Sequence, residues 1–266
     1  MEFYFIFHNN KEREMKLEEE VIKQFLGDDF PGNVYVQEQV DSTQNVAKRL
    51  DDQRPTAVLA EMQTTGYGKE KRSFYSPQNS GLYLSVLLPQ IITDELPHAG
   101  LFTTGLAVAI TQVLEKFYPT KRFMVKWVND ILLNKKKVAG ILVESILEGQ
   151  SAKWIVGLGI NLTTANFPAQ LQAKAGSIAQ QEVDRNRLAA DIIKAVWKTK
   201  LTYQTKQFIN EYQQRLILMN QEVTLQLADG TVTGVVKGIA KDGELIVQQP
   251  SGMKVISAGE VVKVNY

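Results

Sequence analysis

The sequence predicts an α+β protein, a large mixed-sheet domain followed by a small all-β domain. Three observations carry this prediction. Helical stripes and strand-like runs are interspersed up to about Asn220. Beyond it, short alternating strands are punctuated by Asp-Gly turns, a strong hairpin signal. A length of 266 residues fits a large domain plus a small one. The boundaries expected are an N-terminal extension and helix over residues 1–33, a main domain over 34–218 and a barrel over 219–266.

Each element has a local reason. The apolar run Phe3 to Phe7 is too short for a signal-peptide core, and no apolar stretch reaches the length of a membrane span. The expected location is therefore the cytoplasm, with no membrane partner. Met15 opens a fresh amphipathic pattern in which Leu17, Val21 and Phe25 recur at i+4 with Ile22 and Leu26 beside them. Met15 is an alternative start, which intact-mass measurement of the natively expressed protein checks. The stretch DDFPGN (28–33) is turn chemistry and leads into a strand, Val34 to Val40. Asp41-Ser42-Thr43-Gln44 is a helix entry, where a small oxygen-bearing residue caps free N–H groups ahead of Val46, Ala47 and Leu50. Ala57–Glu61 and Leu82–Leu88 read as strands around a polar, glycine-bearing loop. Residues 99–118 form a helix that Pro119 stops. Met124–Trp127, Ile131–Leu133, Val138–Ile146 and Trp154–Leu162 read as strands, and residues 187–214 as helix. In that helix Leu188, Ile192 and Val196 form one row and Ile193, Trp197 and Leu201 a second. Val223–Leu227, Thr231–Ile239, Leu245–Val247 and Lys254–Ser257 complete a small SH3-like barrel.

Composition narrows the chemistry. Lys+Arg is 30 and Asp+Glu 29, a formal charge of +1, so no global field draws the chain to nucleic acid or an anionic membrane. Cysteine is absent and the histidines are only His8 and His98. Disulfides, thiolate metal sites and a cysteine nucleophile are excluded. Catalysis, if present, rests on Lys, Arg, Asp, Asn and a bound cofactor or nucleotide.

Two clusters carry chemistry. In QTTGYGKEKRSFYSP (63–77), Gly66 and Gly68 stand beside Lys69, Lys71 and Arg72. Such a loop either wraps phosphate oxygens with N–H groups and positive charge or is a solvated surface loop. It matches neither a Walker A loop nor a dinucleotide fingerprint. In KWVNDILLNKKKVAGILVE (126–144), Lys126, Asn129, Asp130 and Lys137 are polar groups within apolar strands. Lys137 lies at a core edge, where a lysine either snorkels or points into a site. Gly140 permits close approach to its strand.

With Asp41-Ser42-Thr43, these clusters resemble the biotin–protein ligase family, from about Val34 to Val264. The family's D-S-T-N motif is matched by Asp41 to Gln44. Its Q-x-x-G-R-G-R-x-x-R-x-W loop is matched in part by Gln63, Gly66, Gly68, Arg72 and Phe74. F-S-P and G-x-L-Y-L-S correspond to Tyr75-Ser76-Pro77 and Gly81–Ser85. K-W-P-N-D and K-x-A-G-I-L-x-E correspond to Lys126–Asp130 and Lys137–Glu144, and G-x-G-I-N to Gly157–Asn161. The resemblance implies a mixed-sheet catalytic domain of the biotin/lipoate ligase type with a C-terminal SH3-like barrel. It implies that ATP adenylates biotin to biotinyl-5′-AMP with Mg²⁺, and that a lysine of a biotin carboxyl carrier domain then takes the biotin.

Residue roles follow from the same resemblance. Lys137 and Arg72 are the catalytic pair, Lys137 bridging the biotin carboxylate and the α-phosphate. Ser42, Thr43, Gln44, Gln63, Tyr67, Gly68, Lys69, Lys137 and Gly140 are expected around biotin. Lys69, Arg72, Phe74, Lys126, Asn129, Asp130 and Asn161 are expected around ATP, with Asp130 offered to the metal. Tyr67 and Lys69 replace the two arginines of G-R-G-R, Lys71 a glycine, Phe74 the tryptophan and Val128 the proline. A phenol gives no bidentate cationic contact, so weaker retention of biotin or adenylate is expected.

Some members of the family carry an N-terminal DNA-binding domain. The roughly 33 residues before the first strand are too few for one, so DNA binding is not expected. The chain is expected to be a monomer or homodimer. The rival readings are a lipoate–protein ligase-like acyltransferase and a non-catalytic biotin- or adenylate-binding regulator.

Overall fold

The computed structural model describes residues 16–92, 98–148, 151–180 and 183–265. The extension expected over residues 1–14, with His8 and Met15, lies outside them. Seven strands form one sheet: β1 (Asn33–Val40), β2 (Thr56–Gln63), β3 (Gly81–Ile92), β4 (Met124–Lys126), β5 (Asp130–Leu133), β6 (Lys136–Glu148) and β7 (Ser151–Asn161). Their order is β1-β2-β3-β7-β6-β5-β4. Only β1 and β2 pair in parallel, so the sheet is mixed, as the sequence predicts. The C-terminal sheet joins β8 (Glu222–Leu227), β9 (Gly230–Ile239), β10 (Leu245–Gln249), β11 (Gly252–Ile256) and β12 (Glu260–Asn265), all antiparallel. This is the small SH3-like unit expected from the Asp-Gly turns.

Strand periodicity divides the large sheet into two unlike faces. Leu82, Leu84 and Val86 of β3, Trp154, Val156 and Leu158 of β7, and Ala139 and Ile141 of β6 join the main core. The helices α3 (Ala99–Phe117) and α4 (Arg185–Thr202) cover that face, contributing buried Phe102, Leu106, Ile110, Leu188, Ile192 and Val196. The intervening residues Ser85, Gly140, Glu144, Gly157 and Gly159 point the other way. There the short helix α2 (Thr43–Arg49) covers one end through a small cluster of Ala47, Val58, Leu87 and Ile155.

Three expectations are corrected. Helix α1 (Glu19–Leu26) buries Ile22 and Leu26, whereas Val21 and Phe25 are only half-buried. Leu17 precedes the helix, so a stripe counted from it selects the wrong row. The helix expected over 187–214 is two, α4 and α5 (Ile209–Arg215), separated where Lys206 adopts a left-handed φ of 60°. Leu201 ends the second predicted row 65% exposed, because the buried face at this end of the helix is carried by Thr199 and Tyr203.

A buried ion pair ties the N-terminal segment to the sheet. Arg185 and Glu61 are 7% and 1% exposed, with nitrogen and oxygen 2.8 Å apart. The second Glu61 oxygen accepts the Leu17 N–H at 2.6 Å, and Arg185 also donates to the Gly81 carbonyl. Removing one partner strands a buried charge. Arg185→Ala is therefore expected to lower stability by about 3–5 kcal/mol in urea denaturation, and adding Glu61→Gln to recover much of that loss.

Candidate functional site

The cleft lies on the sheet face opposite α3 and α4, and the sequence explains its shape locally. Ser42 caps α2, its Oγ accepting the Gln44 N–H at 3.2 Å. This cap aims the first turn of α2 at the sheet, so Thr43 and Gln44 are buried over it. The Thr43 N–H and hydroxyl both donate to Gln63 Oε1, at 2.9 and 3.2 Å, and Gln63 Nε2 donates to Ser76 Oγ at 2.9 Å. Ser85 Oγ donates to Gln44 Oε1 at 2.9 Å and lies 2.9 Å from Thr43 Oγ1. The Gln44 amide also donates to Glu144 Oε2 and the Ile155 carbonyl. The floor is thus a continuous polar network on a sheet that is apolar beneath.

Missing side chains open the sheet face. A Cβ at Gly159 would meet the Phe74 ring at 2.5 Å, so only glycine lets that ring lie on β7. A Cβ at Gly140 would meet Lys137 Nζ at 2.9 Å, so the same absence admits the lysine. Lys137 pairs with Asp130 at 2.6 Å. Its backbone is bonded on both sides to the segment after β7, through the Lys174 carbonyl and the Gly176 N–H.

Three cations of the cleft cross to the C-terminal sheet. Lys126 Nζ donates to the Val261 carbonyl at 3.1 Å and Lys69 Nζ to the Gly259 carbonyl at 3.0 Å. The Arg72 guanidinium forks onto both Glu260 oxygens and reaches Glu70 at 3.1 Å. Trp127 Nε1 donates to the Gly243 carbonyl at 2.9 Å. Burial lowers the Lys126 ammonium below its ordinary value, with Lys137 and Lys174 adding to the effect against Asp130 and Glu260. A cation so placed gains from an anion brought into the cleft. Asn129 Nδ2 donates to the Ile141 carbonyl at 2.7 Å, fixing the turn between β4 and β5.

The structure brings Ser42, Thr43, Gln44, Gln63, Tyr67, Gly68, Lys69, Arg72, Phe74, Lys126, Asn129, Asp130, Lys137 and Gly140 to one cleft. Asn161 is set apart from it: buried at the end of β7, it donates to the Gly176 carbonyl at 3.2 Å. Ser85, Gly157, Gly159, Gly259, Glu260 and Val261 also line the cleft and were not among the expected site residues, although the first three fall within motifs of the resemblance. Alternation along β3 and β7 could have found the first three. Nothing local marks the last three. Among the described residues no three His, Cys, Asp or Glu side chains converge, and the cleft carboxylates Glu70, Asp130 and Glu260 are each paired with a cation.

Glu144 supplies a pH dependence. Burial pushes its carboxyl upward, but hydrogen bonds from Lys48 and Gln44 win and hold it below the ordinary carboxylate range. The Lys48–Glu144 pair spans 2.8 Å. As pH falls below the ordinary range, the unfolded chain takes up this proton before the folded one does, so stability declines until the folded carboxyl is also protonated. Glu144→Gln is expected to show a shallower loss of melting temperature between pH 5 and pH 3 than the parent, roughly the interval that carboxylate linkage spans. Equal slopes would count against this account.

Comparison with known proteins bears on this geometry. Residues 36–161 match the biotin/lipoate A/B protein ligase family, and residues 218–264 match the biotin protein ligase C-terminal domain. The bifunctional ligase/repressor BirA of Escherichia coli is 30% identical over 250 residues, 90% of this chain and 76% of that protein. The biotin–[acetyl-CoA-carboxylase] ligase of Paracoccus denitrificans is 32% identical over 217 residues, 77% of this chain and 88% of the relative. The biotin protein ligase from Aquifex aeolicus in complex with biotin and ATP superposes with a TM-score of 0.76 at 29% identity, over 86% of this chain and 97% of the other.

Proposed function

Because the chain belongs to the biotin/lipoate A/B protein ligase family, among its biotin protein ligases, we propose that this cleft joins biotin to ATP and passes the product to a protein lysine. The protein is an ATP-dependent biotin–protein ligase. Biotin's carboxylate attacks the α-phosphate of ATP, pyrophosphate leaves, and biotinyl-5′-AMP forms. The ε-amine of an acceptor lysine, on a biotin carboxyl carrier domain in our reading, then displaces AMP. We assign the reaction to the cytoplasm. No described helix is long and apolar enough to cross a membrane.

The observation that carries the assignment is the convergence of separately anchored cations beside a buried neutral network. Two anions must meet for the first step, and fixed positive charge in a partly desolvated cleft lowers that barrier. Lys137 lies against the sheet beside Gly140, which suits it to bridge the biotin carboxylate and the α-phosphate. Lys126, Lys69 and Arg72 face the phosphates, and Phe74 offers a ring on Gly159 for the base. Ser42, Thr43, Gln44 and Gln63 present hydroxyls and amides that suit the ureido and carboxylate ends of biotin. Mg²⁺ neutralises phosphate oxygens when bound with the triphosphate. The lack of a three-carboxylate cluster among the described residues suits an ion held chiefly by substrate oxygens, with Asp130 as the group we expect to assist.

The test mixes the protein with ATP, Mg²⁺, biotin and a biotin carboxyl carrier domain and probes with streptavidin. Labelling is expected. Lipoate in place of biotin is expected to leave the acceptor unmodified; lipoyl transfer, or binding without any transfer, would overturn the assignment. Lys137→Ala is expected to slow pyrophosphate release about 10²–10³-fold, the typical effect of removing one transition-state donor.

A further inference from the structure

Tyr67 stands where the resemblance expects an arginine, and all its described polar partners are side chains of the protein. Its Oη accepts from Lys48 Nζ at 3.0 Å. Its single proton serves either Asn45 Oδ1 at 3.1 Å or Glu144 Oε2 at 3.2 Å. Lys71 places its ammonium 4.1 Å from the ring centroid, a cation–π contact. Tyr67 therefore touches α2, β6 and the far arm of its own loop.

The loop backbone transmits this anchoring. Tyr67 and Ser73 pair as an antiparallel bridge, Gly68 N–H donates to the Arg72 carbonyl at 2.8 Å, and Phe74 N–H donates to the Gly66 carbonyl at 2.8 Å. The two arms are one small hairpin, so fixing Tyr67 fixes the arm that carries Arg72. The tip turns through Glu70 and Lys71 at φ 56° and 60°, left-handed values that favour glycine. The Lys71 contact with the Tyr67 ring helps hold this turn without a glycine.

Glu144 Oε2 is shared. It receives Lys48 Nζ at 2.8 Å and the Gln44 amide at 2.9 Å, and Gln44 in turn holds Ser85 and the cleft floor. One carboxylate thus serves both the loop anchor and the floor.

We propose that Tyr67 is a positioning residue that latches the loop 66–74 to α2 and β6, and that through Glu144 this latch holds the loop over the occupied cleft floor. The latch itself rests on geometry. Its catalytic consequence, retention of the acyl-adenylate until the acceptor lysine arrives, rests on the ligase assignment. A phenol gives up direct pairing with a ligand anion but secures the arm bearing Lys69 and Arg72 by protein bonds alone.

Tyr67→Phe removes the hydroxyl and keeps the ring. In the full-length protein without ligands, trypsin cleavage after Lys69, Lys71 or Arg72 is expected to rise about tenfold, the upper range for losing one hydrogen-bonded hydroxyl. With biotin, ATP and Mg²⁺, the ratio of biotinyl-5′-AMP released to biotin transferred is expected to rise comparably. A merely structural defect would lower both products together and reduce the melting temperature, leaving the ratio unmoved. Lys48→Met is expected to reproduce both effects if the phenylalanine variant folds poorly. Unchanged cleavage in both variants would overturn the latch whatever the enzyme makes. Faster cleavage with an unchanged ratio would overturn the link to retention. If the parent protein makes no adenylate, the ligase assignment fails, and the cleavage rates alone decide the latch.

Discussion

Crowding like charges into one cleft is the constraint on which the rest of this structure turns. Lys69, Arg72, Lys126 and Lys137 line a single cleft, in a chain whose formal charge is only +1. Unbalanced, such a cluster would repel itself in a medium poorer than water at screening. Each cation instead has a built partner. Lys137 holds Asp130, Arg72 holds Glu260, and Lys69 and Lys126 hold carbonyls of the C-terminal sheet. Lys48 holds Glu144 beside the cleft. These partners come from different elements, so charge balance also fixes the relative placement of loop, sheet and small domain.

The same strands satisfy opposite demands on their two faces. One face carries Leu, Val and Trp against α3 and α4, and its burial stabilises the fold in proportion to the apolar area removed from water. The other carries Ser85, Gly140, Gly157 and Gly159, which contribute little to packing. A bare sheet face is tolerated because the opposite face already secures the strands. Within the cleft this bareness is filled by side chains from elsewhere: Phe74 on Gly159, Gln44 on Gly157 and Lys137 on Gly140.

Much of this was legible in the sequence because it depends on neighbours along the chain. The Ser42 cap, the strands on either side of the glycine-bearing loop, the Lys126–Glu144 hairpin and the Asp-Gly turns all announce themselves within a few residues. The groups that were missed act at long range with ordinary residue types. Glu260 meets Arg72 across 188 positions, and Glu144, which closes the Lys137–Glu144 motif but was given no role, meets Gln44 across 100. A glutamate on a strand has no local mark that separates a solvated charge from the partner of an arginine in the cleft. The α1 face was misjudged for a related reason. Periodicity locates a stripe but not the residue at which the helix begins, and Leu17 is secured by Glu61 rather than by helical spacing.

The small C-terminal sheet carries no motif, yet it is the third wall of the cleft. Trp127 is tied to the Gly243 carbonyl, and the Gly259–Val261 segment meets Lys69, Arg72 and Lys126. The loop 66–74 is therefore tethered at two ends of different character. At Tyr67 it is bound to the large sheet through partly buried neutral and charged groups; at Lys69 and Arg72 it is bound to the small domain through more exposed charges. Exposed ion pairs contribute little and exchange readily, whereas partly buried hydrogen bonds to charged groups hold more firmly. The Tyr67 end is thus the more firmly held of the two. The small domain in this arrangement holds the cations through two backbone carbonyls and one carboxylate, and generic residue types suffice for that.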